Sequence, residues 1–261
     1  MHRRCCMSNR TPQELAEKIR KENEPLFEYA RVNVQHFFNN PKTTKEDLIR
    51  HFTGRLTNER LNLVEVSNSI ANLPLGTSAQ DMILLTKQAQ DEAVHFKLVN
   101  EILDHINGSP VDTEALLDQD LNNGIKDKGG YAMDKYDDFG DPLALIAYQI
   151  VAEGRASVMW QEMEAMGAVD DYVASRYKKI AKDEAFHAKI GLKRLEELEL
   201  TEEEQDRLLQ YVDEIRFSMY ECQVSNKSFS TEAPGSADLV HEAYGFTRDQ
   251  VSMRPDANYA A

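Results

Sequence analysis

Apolar and polar positions follow a helical period through most of the chain, with breaks that divide it into long segments. Thr11 can cap a helix and Pro12 suits its first position, so the amphipathic stretch that follows predicts a helix to about Asn39. Asn39, Asn40 and Pro41 break it. Thr44, with Asp47 three residues on, predicts the start of a second helix running to about Asn72, ended by Pro74 and Gly76. Thr77 or Ser78 opens a third, from Gln80 to about Ile106, closed by Asn107, Gly108 and Pro110, and a shorter helix follows from Thr113. Asp141-Pro142 begins the next, to Gly167, and Asp170-Asp171 another, to about Leu198. Thr201 before Glu202, Glu203 and Glu204 opens a last long helix to about Asn226, its acids at the favourable end of the dipole.

The segment from Asn122 to Asp141, NNGIKDKGGYAMDKYDDFGD, has Gly and Asp punctuation and weak periodicity, and reads as a long crossing connection or lid. Residues 1–10 read as a flexible N-terminus, 11–226 as one helical domain and 227–261 as an irregular tail along its surface or across a partner. Met7 is a second candidate start. The expected fold class is therefore all-α. The scarcity of Gly (12) and Pro (8) in 261 residues agrees, because a turn-rich sheet protein would need more of both.

Charge narrows the partners. Forty-five acidic against 30 basic residues leave a formal charge of -15, which argues against nucleic-acid binding, where clustered Lys and Arg are required. Cys5, Cys6 and Cys222 offer neither a disulfide framework nor a Cys-x-x-Cys site, so a reducing, cytoplasmic setting is expected. No stretch approaches the roughly 18 apolar residues of a membrane span, and MHRRCCMSNR has no apolar run after its arginines. A soluble protein without membrane contact is expected.

One pentapeptide occurs twice: Asp91-Glu92-Ala93-Val94-His95 and Asp183-Glu184-Ala185-Phe186-His187. Residues three apart share a helix face, so each Glu and His can grip one ion. Chance placement yields roughly 0.7 Glu-x-x-His in a chain of this composition, and roughly 0.05 with the preceding Asp, so two copies are a signal. Each is preceded by one helical hairpin with an acid on an apolar stripe. Glu59 interrupts Phe52, Leu56, Leu63, Val66 and Ile70, and Glu153 lies among Ile146, Ile150, Ala156 and Trp160. Glu65 is the rival to Glu59, but Asn58, Leu61, Asn68 and Ser69 place it on a more polar surface. Acids buried on such stripes are costly unless paired, protonated or metal-bound.

Glu59, Glu92, His95, Glu153, Glu184 and His187 thus form six candidate ligands in two similar halves. One Glu from each of two helices, with Glu-x-x-His from the others, resembles the ferritin-like di-iron carboxylate proteins over residues 44–198. The resemblance implies a ferritin-like four-helix bundle with added N- and C-terminal helices and two iron ions, Mn/Fe being the variant. Glu92 and Glu184 would bridge the metals, with Glu59 and Glu153 terminal. It also implies that Asp91 and Asp183 orient His187 and His95 across the bundle. Ser157, one turn after Glu153, resembles in spacing a hydroxyl residue that aids proton delivery in the monooxygenases, although a helix-to-helix hydrogen bond explains it equally. Gln88 and Gln149 lie one turn before Glu92 and Glu153, either facing the cavity or bonding between helices.

His36, His51, His105 and His241 read as surface or capping residues, and Trp160 and Phe186 as core. The Glu run from 196 to 204 reads as a solvated helix junction. The function that the resemblance implies is O2-dependent oxidation of a small organic substrate by an oxygenase or oxidase. Ferritin-like iron oxidation and storage is the alternative, and a metal-free scaffold the third reading. No flavin, dinucleotide or iron–sulfur motif is present, so electrons are expected from an external reductase, a ferredoxin or the substrate. A homodimer is an allowed assembly.

Overall fold

The computed structural model describes residues 10–122, 141–225 and 232–252, all of it helical or connecting, with no strand among them. Most of the expected 122–141 connection, residues 1–9 and both 226–231 and 253–261 lie outside the described residues. The helices are α1 (Pro12–Asn39), α2 (Lys45–Ala71), α3 (Ala79–Asn107), α4 (Thr113–Asn122), α5 (Pro142–Tyr148), α6 (Gly154–Ala165), α7 (Asp171–Glu196), α8 (Glu202–Ser225), α9 (Ser236–Tyr244) and α10 (Arg248–Ser252). No described helix is long and apolar enough to cross a membrane.

Local chemistry accounts for most boundaries. Thr11 with Glu14, and Thr44 with Asp47, form reciprocal capping boxes, and Ser78, Asp141 and Asp170 accept from backbone amides of α3, α5 and α7. Gly108 ends α3 at φ 83°, a left-handed conformation that a side chain would disfavour. Where one helix was expected from 142 to 167, α5 and α6 are joined by a π-helical turn, Gln149–Glu153. Such a wide turn inserts a residue with no Pro to announce it, and it is found often at functional sites.

The segment after 227 is a second correction, because α9 and α10 lie within it. Gly235 precedes α9 at φ 76° and Gly245 follows at φ 73°, so glycines that looked like loop punctuation bracket a helix. α9 packs on α1, where Pro25 lacks the amide that would continue the ladder. The Tyr244 hydroxyl inserts into the next rung. It accepts from Leu26 N (3.3 Å) and donates to Glu22 O (2.5 Å). Asn33 fixes the approach to α9, accepting from Ala233 N (2.7 Å) through Oδ1.

Two apolar clusters lie at opposite ends of the helices. One gathers Leu15, Ile19 and Leu26 of α1, Leu85 of α3, most of α5 and Val212 and Ile215 of α8. The other gathers Phe37, Phe52, Leu56, Val99, Ile102, Trp160 and Tyr177. α3 passes from Leu85 in the first to Val99 in the second, and α7 from Ile180 in the second to Leu195 in the first. The repeated pentapeptides lie between. The long helices therefore cross a polar layer held between two dry ones.

α2 packs on α3, α6 on α7, and α7 also against the π turn. Gly191 permits the last contact: a Cβ there would stand 2.7 Å from Gln149 Cβ and 3.2 Å from Ile146 O. We predict that Gly191→Ala costs about 1–3 kcal/mol, as overpacking does, and lowers the melting midpoint by roughly 2–4 °C per kcal/mol. Unchanged melting in a thermal scan would mean that α7 does not rest on the π turn.

Candidate metal centre

α2, the π turn, α3 and α7 bring Glu59, Glu153, Glu92 with His95 and Glu184 with His187 into one buried layer. Ligand-type atoms of Glu59, Glu92, His95 and Glu184 lie within 4.8 Å of one another, and so do those of Glu92, Glu153, Glu184 and His187. Each group is one that could hold a metal ion. Glu92 and Glu184 belong to both. The two sets are therefore related as halves, each with one histidine and one private glutamate.

The histidines face the layer in the same way. His95 Nδ1 lies 3.4 Å from Glu59, 3.7 Å from Glu92 and 3.5 Å from Glu184, while Nε2 lies 3.2 Å from Asp183 Oδ2. His187 Nδ1 lies 3.3 Å from Glu92, 3.8 Å from Glu153 and 3.5 Å from Glu184, while Nε2 lies 3.3 Å from Asp91 Oδ2. An ionised Asp only accepts, so it keeps a proton on Nε2, and Nδ1 is the nitrogen left to bind a cation once its own proton is lost. Lys87 and Lys179 donate to Asp91 and Asp183, each from one turn earlier. These lysines escaped the sequence reading, yet the signal was there: both stand four residues before the Asp of each copy.

Electrostatics describe a site built for positive charge. Burial, then the charge of Glu153, pushes Glu92 up to about 7, and the same causes push Glu184 well above the carboxylate range. Burial would raise Glu153 too, but neighbouring Glu184 and His187 outweigh it and hold it low. Burial would discharge the imidazoles; instead Asp91, Glu153 and Glu184 lift His187 to about 12, and Asp183, Glu59 and Glu92 lift His95 well above neutrality. Burial opposes ionisation of Asp183, yet His95 and Lys179 bring it down to about 2, and His187 and Lys87 lower Asp91 likewise.

Orphaned atoms point the same way. Glu59 Oε2, both oxygens of Glu92, Glu184 Oε2 and Nδ1 of each histidine are buried without a hydrogen-bond partner. Such atoms are costly unless something fills their valence, and a divalent cation among mixed carboxylate and imidazole donors does so.

Other sequence candidates fall in different places. Gln88 Nε2 donates to Glu153 Oε1 (2.7 Å), Gln149 Nε2 to Gln88 Oε1 (2.8 Å) and Arg194 Nη1 to Gln149 Oε1 (3.4 Å), a relay that orients Glu153. Ser157 is buried and does not line the cavity beside the cluster; its Oγ accepts from Gln161 Nε2 (2.8 Å), a bond within α6 and not the helix-to-helix bond that its spacing suggested. Glu65, expected on a polar surface, is only 1% exposed, since Leu61 and Ser69 on the same face are buried too, yet it joins neither ligand group. His51 is buried among Phe37, Phe38 and Phe52 rather than at a surface or cap. Trp160 is buried as expected, whereas Phe186 is exposed.

Sequence reasoning also missed the cavity beside Glu59, Glu153 and Glu184. Its volume is about 50 Å³, and its walls include Arg55, Arg155, Asn58 and Trp160. Both arginines are buried, and burial followed by the charge of Arg55 brings Arg155 down to about 10 despite nearby Cys222. No family model, curated protein or solved structure matches the chain.

Two predictions follow from this geometry. Both histidines carry protons at pH 7, and a cation needs them neutral, so loading with Zn(II) should expel at least two protons per chain. Apparent affinity should then weaken about tenfold per ion for each pH unit lowered. Titration calorimetry in buffers of different ionisation enthalpy reads both, and a pH-independent affinity would contradict the assignment. Asp91→Asn or Asp183→Asn should weaken Zn(II) binding about 10- to 100-fold, while unchanged affinity would show that the aspartates do not orient the rings.

Proposed function

We propose that the protein is a non-haem di-iron enzyme of ferritin-like, four-helix architecture that uses O2 to oxidise a small organic substrate. The observation that carries this reading is the pair of buried ligand sets sharing Glu92 and Glu184, each with a histidine backed by an aspartate and a lysine. Glu59, Glu92, His95, Glu153, Glu184 and His187 would hold the two ions, and this mixed carboxylate and imidazole set is compatible with Fe(II). Mn in one position remains compatible with the same donors.

When bound, the two irons would supply the reduction of O2 and the oxidising power. The chain's own part is positional. Asp91 and Asp183 hold protons at Nε2 of His187 and His95, so that Nδ1 faces the ions. Gln88 keeps one oxygen of Glu153 engaged and so orients the other. Trp160, Ala152 and Ala156 give the adjoining cavity its apolar part, beside the polar wall of Arg55, Asn58 and Arg155. Electrons would come from a reductase, a ferredoxin or the substrate, as the sequence has no redox motif of its own.

Iron storage is the competing function for the same ligands. Storage needs repeated passage of free cations through the layer, whereas an enzyme loads its ions once, and the cavity that adjoins the ligands carries two buried guanidiniums that oppose such traffic. That observation favours an enzyme.

Anaerobic loading with Fe(II) should give two irons per chain, and O2 should then be consumed. Glu92→Ala and His187→Ala should each lose the two-iron stoichiometry while circular dichroism retains most helicity. Two irons retained by both variants would remove the ligand assignment; a hollow multisubunit shell on sizing would favour storage.

A further inference from the structure

Arg55 and Arg155 are 6% and 4% exposed, and among the described residues neither has a carboxylate within ion-pairing distance. The Nε of each is buried without a hydrogen-bond partner; Arg155 donates through Nη2 to Gln223 Oε1 (2.6 Å), and Asn58 Oδ1 in the same wall is likewise unpartnered. Buried unpaired cations are strongly disfavoured, and two beside one cavity more so. The cavity joins them to Glu59, Glu153 and Glu184, three of the proposed ligands. Arg55 stands four residues before Glu59 on α2, and Arg155 two after Glu153 on the adjoining helix.

We propose that this cavity is the substrate site and that Arg55 and Arg155 bind the carboxylate of a small organic acid, presenting its carbon chain to the metal centre. This rests on the di-iron reading for the chemistry, though not for the binding. A planar guanidinium fork matches a carboxylate, and a ligand anion supplies the charge that the arginines lack. Volume selects the ligand further. A buried water needs about 10–15 Å³ by this measure, so a cavity of about 50 Å³ admits only a handful of non-hydrogen atoms. A phosphate group takes up more of that space than a carboxylate does, and so leaves less of it for carbons that carry C–H bonds. One organic carboxylate would offset half of the charge of the two guanidiniums, with one arginine at each side of its fork.

Trp160 lines the cavity and is the chain's single tryptophan, so its fluorescence reports occupancy directly. Butyrate should change that emission saturably in both metal-free and Zn(II)-loaded protein, and neutral, isosteric butyramide should bind at least tenfold more weakly. Arg55→Gln and Arg155→Gln should each weaken butyrate at least tenfold, and butyrate should raise the melting temperature of the parent chain but not of the double variant. Without ligand, the glutamine variants should melt at or above the parent, as expected when an unpaired buried charge is removed. If a glutamine variant does not fold, Arg55→Lys, which keeps charge and loses the fork, should still bind less tightly. Equal binding of butyramide, unchanged butyrate affinity in the variants, or inorganic phosphate binding more tightly than butyrate would each overturn the proposal. Zinc stoichiometry separates it from the metal reading: Arg-dependent butyrate binding without two zinc sites leaves this inference standing and removes the other, and two zinc sites without butyrate binding do the reverse.

Discussion

Four glutamates and two histidines held between two apolar clusters set the terms for this molecule. Carboxylates so close together in a dry interior repel strongly, and only protons or cations relieve the repulsion. Burial and the charge of Glu153 push Glu92 up, and, against burial, Asp91, Glu153 and Glu184 raise His187, both in the direction of that demand. Long helices serve it well. A helix can carry an apolar end, a polar middle and a second apolar end without breaking a backbone hydrogen bond, and among the described residues only at Gln149–Glu153 does the α-helical ladder give way to a π turn within the layer.

Around that layer the supporting contacts run outward to solvent. Each histidine is followed by an aspartate, and each aspartate by a lysine whose amine reaches the surface. Glu153 is followed by Gln88, Gln149 and Arg194. The π turn gives Gln149 and Glu153 their places, and Gly191 lets α7 come close enough to hold that turn. On the cavity side the sign of the charge reverses, from glutamates to Arg55 and Arg155. Adjacent sites of opposite charge suit a centre that holds cations in one part and an anionic molecule in the next.

The helices and their caps were legible because they depend on neighbours within four residues: Thr11 with Glu14, Thr44 with Asp47, Gly108 after Asn107. The ligand candidates were legible for the same reason, since Glu-x-x-His is a local geometry and an acid on an apolar stripe is a local anomaly. The paired lysines were equally local and were passed over, being ordinary surface residues by type. Misreadings arose where a face had more than one neighbour. Glu65 and His51 sit on α2 surfaces that look polar or terminal along the chain, and other helices cover both. Likewise α9 was hidden by its own bracketing glycines, which mark a loop or a helix end equally well.

By itself the sequence determined an all-helical chain, its caps, and six ligand-type side chains on inward faces, because helical periodicity and capping act over a few residues. Tertiary structure alone decided that Glu92 and Glu184 fall in both ligand groups, that Asp91 meets His187 and Asp183 meets His95, and that α5 and α6 join through a π turn. It also decided that Arg55 and Arg155, about a hundred residues apart, share one small cavity. Those are distances between helices, and they depend on how side chains of different segments fill a common space, a property that no stretch of one helix carries.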